Sequence, residues 1–386
     1  MSQNEVSEQR TKATGLLSRL FNGETSFDFF GRRRVAFVIS LIFIVVTLVS
    51  LIGQGLNLGI DFKGGVAWQV PKTDSIDIGE VREILDENGV RSDNAKIQTL
   101  DSGSQQTIRI QVGDQTEEVR IAVQSALADG AAVDSNDVSV SSVSSSWGRS
   151  ITEKAVRALF IFLGLVAVYI AWRFEWRMAL AALIAMVHDV VISVGIYSLF
   201  GFEVTPATVV AFLTILGYSL YDTIVVFDRV QDNVSKFSGT RVSMGDISNI
   251  SMNQVLMRSI NTSVSSILPV LAILILGAGF MGAVSLREFA VALLVGMLTG
   301  AYSSIFVATP LLTMLKEREG RYSNMRGQLT TGAELAYLVA SGSTVGAKPV
   351  RRHHTDAEGH EIAQVSPAMP TALLTHPPRP RKKKRR

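Results

Sequence analysis

Six long apolar runs determine what this chain of 386 residues can fold into. Each run, with its flanks, is about as long as the roughly 17–25 residues that a helix needs to span a bilayer. Polar stretches separate the runs, so the sequence indicates a membrane protein with soluble parts rather than one large soluble core. The runs cover residues 35–52, 158–172, 178–200, 205–227, 258–276 and 288–312.

Lysine and arginine are distributed unequally around these runs. Three arginines at 32–34 precede the first run, and basic residues follow the second, fourth and sixth, whereas the loop 201–204 has none. Since Lys and Arg concentrate in cytoplasmic loops, we predict a multi-pass membrane protein with both termini in the cytoplasm. The arginines also resemble the start of a secretory signal, but no A-x-A-like cleavage site follows the run. We therefore predict that 32–53 is the first transmembrane helix.

The polar insert 54–150 has the pattern of a small α+β domain. Its order of strands and helices, βαββαβ, is that of a ferredoxin-like domain. Because the insert follows the first helix, we expect it outside the cytoplasm. The predicted fold is therefore an α-helical membrane protein with six transmembrane helices and a ferredoxin-like α+β extracytoplasmic domain between helices 1 and 2. The predicted strands are 66–70, 95–100, 107–112 and 138–143, and the predicted helices are 78–88 and 116–128.

The remaining segments complete the domain plan. Residues 1–31 are expected to form a cytoplasmic N-terminal arm, 151–316 the bundle of helices 2–6, and 317–386 a disordered basic cytoplasmic tail. The tail ends in a basic cluster at 379–386, which favours contact with anionic lipid of the bilayer at about 1 kcal/mol per basic residue near the surface. No nucleic acid is expected as a partner, although a ribosome or another acidic partner stays open as an alternative.

The fourth run carries a carboxylate, Asp222, within the stretch 217–229. A charged side chain well inside a membrane costs at least about 2.5 kcal/mol, and such residues normally face protein or water and serve ion or proton movement. At helical spacing Thr214, Tyr218 and Asp222 share one face. The simpler alternative places Asp222 at the cytoplasmic end of the helix. However, Asp222 lies about 9 Å deeper than Asp228 at roughly 1.5 Å per residue, which favours a functional role.

The fifth run begins with a guanidinium at the foot of a stripe of hydroxyl groups. Arg258, Thr262 and Ser265 fall on one helix face. An arginine beside Asp222 would favour its carboxylate form, and withdrawal of the arginine would favour the protonated form, as a proton-driven machine requires. In the alternative interpretation, Arg258 is an interfacial residue that extends its charge to the headgroups. The predicted proton pathway consists of Asp222, Arg258, Tyr218 and Thr262.

His188 and Asp189 form a secondary polar site in the third run. No third ligand or HExxH-type spacing accompanies them, so no metal site is predicted. An interhelix hydrogen bond or a proton relay accounts for the pair, with a structural role favoured. The chain lacks cysteine, which excludes disulfides and thiolate metal sites. Since the sequence also shows no Ser/His/Asp nucleophile set and no phosphate-binding glycine loop, we predict that the protein is not an enzyme.

A glycine-rich motif, Gly-Ile-Asp-Phe-Lys-Gly-Gly at 59–65, follows the first run. Its glycines permit a tight turn into the first strand, and a purely structural turn would explain them. Together with 188–190, 217–229 and 253–263, however, the motif resembles the SecF family, the smaller membrane subunits of the bacterial SecD–SecF complex. The resemblance extends over roughly residues 30 to 320. Its extracytoplasmic motif residues are Gly59, Asp61, Phe62, Gly64 and Gly65.

The resemblance implies membership of the resistance-nodulation-division superfamily and a SecD partner. It also implies a place in the bacterial plasma membrane beside the SecYEG channel, where the proton gradient, without any cofactor, promotes the export of preproteins. Asp222 and Arg258 match the proton-pathway Asp and Arg of the family. The Val-Gly-Pro motif that the family usually has before helix 2 is replaced by Ser-Ser-Ser-Trp-Gly-Arg at 144–149, which leaves the form of the hinge open.

Three other functions remain as alternatives. A half-size proton-coupled exporter of small molecules or lipids, from the same superfamily, would not need SecD. A non-transporting assembly scaffold would not need Asp222. An intramembrane hydrolase is the least favoured, because no matched partner acid for Asp222 is visible.

Overall fold

Six long helices and one small sheet account for the apolar runs and the polar insert. The computed structural model describes residues 25–102, 105–238, 242–280, 284–331, 334–335, 338–339, 352–355 and 361–364. In chain order, the elements are α1 (Arg33–Gly53), α2 (Ile60–Lys63), β1 (Gly65–Pro71), α3 (Ile78–Glu87), β2 (Lys96–Ser102), β3 (Gln105–Val112), α4 (Glu117–Ala131), β4 (Ser139–Val143), α5 (Ser145–Arg173), α6 (Trp176–Phe200), α7 (Pro206–Lys236), α8 (Met244–Ala272), α9 (Val284–Ser303), α10 (Thr309–Lys316), β5 (Arg352–Thr355) and β6 (Glu361–Gln364). Two π-helical segments, Ile273–Phe280 and Ser304–Ala308, follow α8 and α9.

Within the described ranges, six helical spans are long and apolar enough to cross a membrane, which confirms the predicted number. The sixth span consists of α9, its π-helical segment and α10. Several helices extend beyond the apolar runs, because capping residues rather than hydropathy set their ends. α8 begins at Met244 instead of 258, where the Asp246 amide donates to the Ser243 hydroxyl at 3.0 Å.

The polar insert forms the predicted βαββαβ domain. Its four strands pair antiparallel in the order β2-β3-β1-β4, with Trp68 of β1 opposite Ile110 of β3 and Val140 of β4. The inward side chains of β1 and β3 alternate along the strands, and they pack against Leu85 of α3 and Leu127 of α4. This core is separate from the apolar cores of the bundle, so the insert is a domain of its own.

A tight junction connects the domain to the bundle. Gly64 and Gly65 have φ values of 77° and 135°, which L side chains rarely adopt. A Cβ at Gly64 would collide with the backbone of Ser145, and a Cβ at Gly65 with the carbonyl oxygen of Val112. On the other side of the domain, Ser144 alone separates β4 from α5 and caps that helix by accepting the Trp147 amide. The Ser-rich stretch therefore joins strand to helix without a linker.

We call the end of the bundle that carries the domain the domain side and the opposite end the distal side. α1 lies against α6, where Gly195 allows close approach because a Cβ there would collide with Thr47. The hydroxyl groups of Ser50 and Ser198 lie 2.8 Å apart across the same interface. Small residues and interhelical hydrogen bonds of this kind are typical of helix packing in membranes.

Parts of both predicted terminal segments pack against the distal side. The Phe30 amide donates to Asn249 and the Phe27 amide to Asn253, each at 2.9 Å. The Thr330 amide donates to Asp246 at 2.7 Å. Residues 25–31 of the predicted arm and 317–331 of the predicted disordered tail are therefore part of the packed structure, because polar side chains of α8 bind their backbones. The prediction for 1–24 and for the basic cluster 379–386 falls outside the described residues.

Candidate functional site

Asp222 lies at the centre of the bundle on α7 and is only 4% exposed. The Ser259 hydroxyl of α8 lies 2.8 Å from each of its two carboxylate oxygens. The Ser304 side chain, in the π-helical segment after α9, is its other polar neighbour. No Lys or Arg of the described residues forms an ion pair with Asp222. Among the described residues, the carboxyl group is therefore held by hydroxyl groups.

The structure does not bring the predicted proton-pathway residues together. Arg258 is exposed on the surface of α8, and the adjacent Ser259 faces Asp222 instead. Successive residues of an α-helix differ by about 100° in direction, so Arg258 and Ser259 point to different sides of α8. Thr262 donates to the backbone carbonyls of Arg258 and Ser259, and the buried Tyr218 hydroxyl has no hydrogen-bond partner among the described residues.

The predicted secondary polar site is a second buried carboxyl group. Asp189 is 1% exposed, and its Oδ2 accepts hydrogen bonds from Ser219 of α7 at 2.6 Å and Ser303 of α9 at 2.8 Å. His188 Nδ1 lies 3.2 Å from Asp189 Oδ1. The His188 ring is stacked with Tyr302, with the ring centroids 6.4 Å apart. This site therefore links three helices through one carboxylate.

The hydroxyl groups around the two acids meet at the Gly300 carbonyl oxygen. Ser303 and Ser304 both donate to this oxygen, at 3.2 and 2.9 Å. Ser304 Oγ also lies 3.0 Å from Thr223 Oγ1, next to Asp222. A Cβ at Gly300 would collide with Ser219, so the glycine permits the close approach of α9 to α7. Asp189 and Asp222 consequently belong to one continuous polar region inside an apolar bundle.

Sequence reasoning missed these serines. The signal for them is weak, because single serines in an apolar helix are common and their neighbours lie on other helices. The sequence Gly-Ala-Tyr-Ser-Ser at 300–304 does combine small and hydroxyl residues, which mark helix–helix contacts in membranes.

A cluster of charged groups connects the domain to the domain side of the bundle. Glu203, in the loop between α6 and α7, lies 3.1 Å from Lys96 Nζ and 3.5 Å from Arg109 Nη2. Gln111 donates to Glu203 at 2.8 Å, and Arg109 Nη1 lies 3.5 Å from Glu288 at the start of α9. Residues of β2 and β3 are thus tied to two separate parts of the bundle.

The glycine-rich motif lies beside this cluster. Gly59 donates its amide to the Val204 carbonyl at 2.9 Å, and the Phe62 side chain enters the apolar core of the domain side. Asp61 lines a cavity of about 160 Å³ together with Arg109 and Glu288. Burial raises the pKa of the Asp61 carboxyl; the charge of Glu203 raises it further, and that of Arg109 opposes the rise. Besides the turn, the motif therefore contributes the carboxyl group of Asp61 to the junction.

Fold and site together define a multi-pass membrane protein with a small ferredoxin-like domain and two buried acids in its bundle. The described residues contain no group of three or more His, Asp or Glu side chains placed to hold a metal ion.

Comparison with known proteins identifies the family. Residues 122–318 match the family described as protein export membrane protein SecD/SecF, C-terminal, and residues 49–66 match the SecD/SecF GG motif. The chain belongs to the SecF family of protein translocase subunits. It is 42% identical over 310 residues to the protein translocase subunit SecF of Streptomyces coelicolor, which covers 80% of this chain and 82% of that protein.

Two further relatives extend the comparison. The SecF subunit of Mycobacterium tuberculosis H37Rv is 42% identical over 78% of this chain and 70% of its own length. The crystal structure of SecDF, a translocon-associated membrane protein from Thermus thermophilus, has a TM-score of 0.69 and 30% sequence identity. That match covers 82% of this chain and 42% of the solved chain, so this chain spans less than half of the SecDF protein.

Proposed function

We propose that this chain pairs with a SecD subunit and uses the proton gradient to promote the export of preproteins through the SecYEG channel. Its membership of the SecF family gives the general role in protein export. The buried carboxyl group of Asp222 is the observation that carries the proton-coupled part. Inside a bilayer, an acid without a cationic partner is unfavourable as a carboxylate, so binding a proton changes what its helix can pack against.

The surface of α8 supports a partner subunit. Arg258 and Asn261 are exposed on a helix that spans the bilayer, where a charge facing lipid costs at least about 2.5 kcal/mol. A second membrane subunit that covers this face would remove that cost. The relative from Thermus thermophilus is named SecDF, which agrees with a SecD-like partner beside this chain.

The positions of the charges support an orientation with the domain outside the cytoplasm. Arg173, Arg177 and Lys316 lie at the distal side, which the positive-inside rule assigns to the cytoplasm. Each proton that crosses 100 mV supplies about 2.3 kcal/mol. Proton binding at Asp222 would weaken the hydrogen bond that its carboxyl group accepts from the Ser259 hydroxyl. The helices α7 and α8 could then repack and move the domain against an exported chain. The basic cluster 379–386 would then contact anionic lipid of the inner leaflet.

The test is the variant Asp222→Asn, reconstituted with SecD and SecYEG and assayed for export with and without an imposed proton gradient. Asp228→Asn is the matched control, because Asp228 lies on the same helix but is exposed and paired with Arg173. We expect D222N to lose the part of export that an ionophore abolishes in the wild type, while D228N retains it. Normal gradient-driven export by D222N would refute the proposal and favour an assembly scaffold. Gradient-driven activity without SecD would favour an exporter.

A further inference from the structure

We propose that Asp189 and His188 form a second proton-exchanging site that is coupled to Asp222 through the serine hydroxyl groups between them. The inference rests on the proposed proton-driven function and adds a second pair of residues to it. Its basis is geometric: two carboxyl groups, each more than nine-tenths buried, lie in one polar region of the bundle.

The hydrogen bonds at Asp189 allow two protonation states. In the charged state, Oδ2 accepts from both Ser219 and Ser303. When a proton binds to Oδ2, the carboxyl group becomes a donor and one serine must turn to accept from it. Ser303 has an alternative acceptor for its own proton, the Gly300 carbonyl oxygen at 3.2 Å. The site can therefore take up a proton without leaving a donor unpaired.

His188 gives the site a second position for a proton. Its Nδ1 faces Asp189 Oδ1, whereas its buried Nε2 has no hydrogen-bond partner among the described residues. With the proton on Nδ1, the lone pair of Nε2 is free, so a proton arriving there forms an imidazolium beside the carboxylate. Tyr302 is the other titratable residue packed on the ring, and its hydroxyl donates to the Ala36 carbonyl. No Lys or Arg of the described residues forms an ion pair with Asp189.

The path between the two acids is short. Ser219, which donates to Asp189, lies three residues before Asp222 on α7, and side chains at that spacing are neighbours on a helix. Ser304 contacts Thr223 Oγ1, the Ser219 carbonyl and the Gly300 carbonyl, to which Ser303 also donates. A change of charge at one acid consequently acts on the other through the field between them and through hydroxyl groups that share acceptors.

Nuclear magnetic resonance of the histidine rings tests the coupling. The full chain with ¹⁵N-labelled histidine, reconstituted with SecD, is titrated, and the His188 signal is assigned by its loss in His188→Gln. The Asp222 carboxylate and the imidazolium form of His188 carry opposite charges. Opposite charges on the order of 10 Å apart, at an effective dielectric constant of roughly 20, interact enough to shift a titration midpoint by about one pH unit. We therefore expect Asp222→Asn, which removes the negative charge, to shift the His188 midpoint by about that amount.

Two variants separate coupling from a structural effect. Ser304→Ala removes the hydroxyl that connects the two sites but leaves the Ser219 and Ser303 donors on Asp189. Thr299→Ala is its matched control, because Thr299 lies in the same membrane span and donates to the Val295 carbonyl of α9. We expect S304A to reduce the shift caused by D222N, and T299A to leave it unchanged. If D222N lowers the yield of the protein, S304A and T299A are compared without it. S304A removes no charge, and we expect it to move the His188 titration midpoint relative to T299A.

The outcomes distinguish this inference from the proposed function. An identical His188 titration in the wild type, D222N and S304A overturns the coupling, even if D222N abolishes gradient-driven export. A coupled titration together with normal export by D222N supports a linked pair of acids but refutes their role in export. Loss of export and a coupled titration together support both.

Discussion

Replacing Glu203 by Ala should loosen the domain from the bundle. Glu203 is buried and contacts Lys96 and Arg109, so its removal leaves a partly buried positive charge without its partner. Breaking a buried ion pair from one side costs about 3–5 kcal/mol. The lower end applies here, about 3 kcal/mol, because Lys96 is 31% exposed and Arg109 retains Glu288. A change of that size raises the population of the detached domain about 100-fold.

Amide hydrogen exchange measures this detachment. The Gly59 amide, which donates to the Val204 carbonyl, is protected only while the junction is closed. We expect its exchange to accelerate about 100-fold in E203A, while exchange in the β1–β3 core of the domain stays unchanged. Glu83→Ala, which removes an exposed carboxylate of α3, is the control and should leave Gly59 protected. Less than a threefold acceleration at Gly59 would show that the ion cluster does not hold the domain.

Three further variants test separate features of the structure. Burial raises the pKa of the Asp61 carboxyl, so the closed junction binds a proton more readily than the open one. Lowering the pH toward the ordinary aspartate pKa should therefore protect the Gly59 amide further, and Asp61→Asn should reduce this pH dependence. Gly65→Ala forces a positive φ and a collision with Val112, so it should lower the thermal unfolding temperature of the protein, whereas Gly113→Ala, whose Cβ would meet open space, should not. Ser259→Ala removes the one hydroxyl proton that Ser259 can donate to the Asp222 carboxylate, and a hydrogen bond to a charged group contributes about 1.5–3 kcal/mol. We expect it to shift the pH profile of gradient-driven export; the same shift in Thr262→Ala instead would contradict the observed contact.

Hydropathy and strand periodicity predicted the spans and the domain because each is a property of consecutive residues. The apolar runs fixed six helices, and the alternation at 66–70 and 107–112 placed the central strands. This reasoning could not predict which side chain forms a hydrogen bond with Asp222. Polar residues at 258, 259, 261 and 262 surround α8, so no single face of that helix is marked as the inner one. Only packing decides that Ser259, and not Arg258, faces α7.

The charged cluster at the domain junction could not be predicted either. Arg109, Glu203 and Glu288 come from a strand, a short loop and the start of a membrane helix, far apart in sequence. Each alone has the appearance of an ordinary surface charge. Their burial follows from how the sheet is seated on the bundle, and that seating depends on the turn at Gly64 and Gly65, whose backbone angles are not encoded by any periodic pattern.

The direct passage from β4 into α5 gives this helix a mechanical property. α5 has 29 residues, so it is a rod about 43 Å long. The buried side chains of its apolar part, Val166 and Ile170, lie toward its distal end. Since Ser144 is the sole residue between rod and sheet, a tilt of about 10° about its distal end would carry the attached strand about 7 Å sideways. Such a displacement of the strand equals the length of about two residues of extended chain.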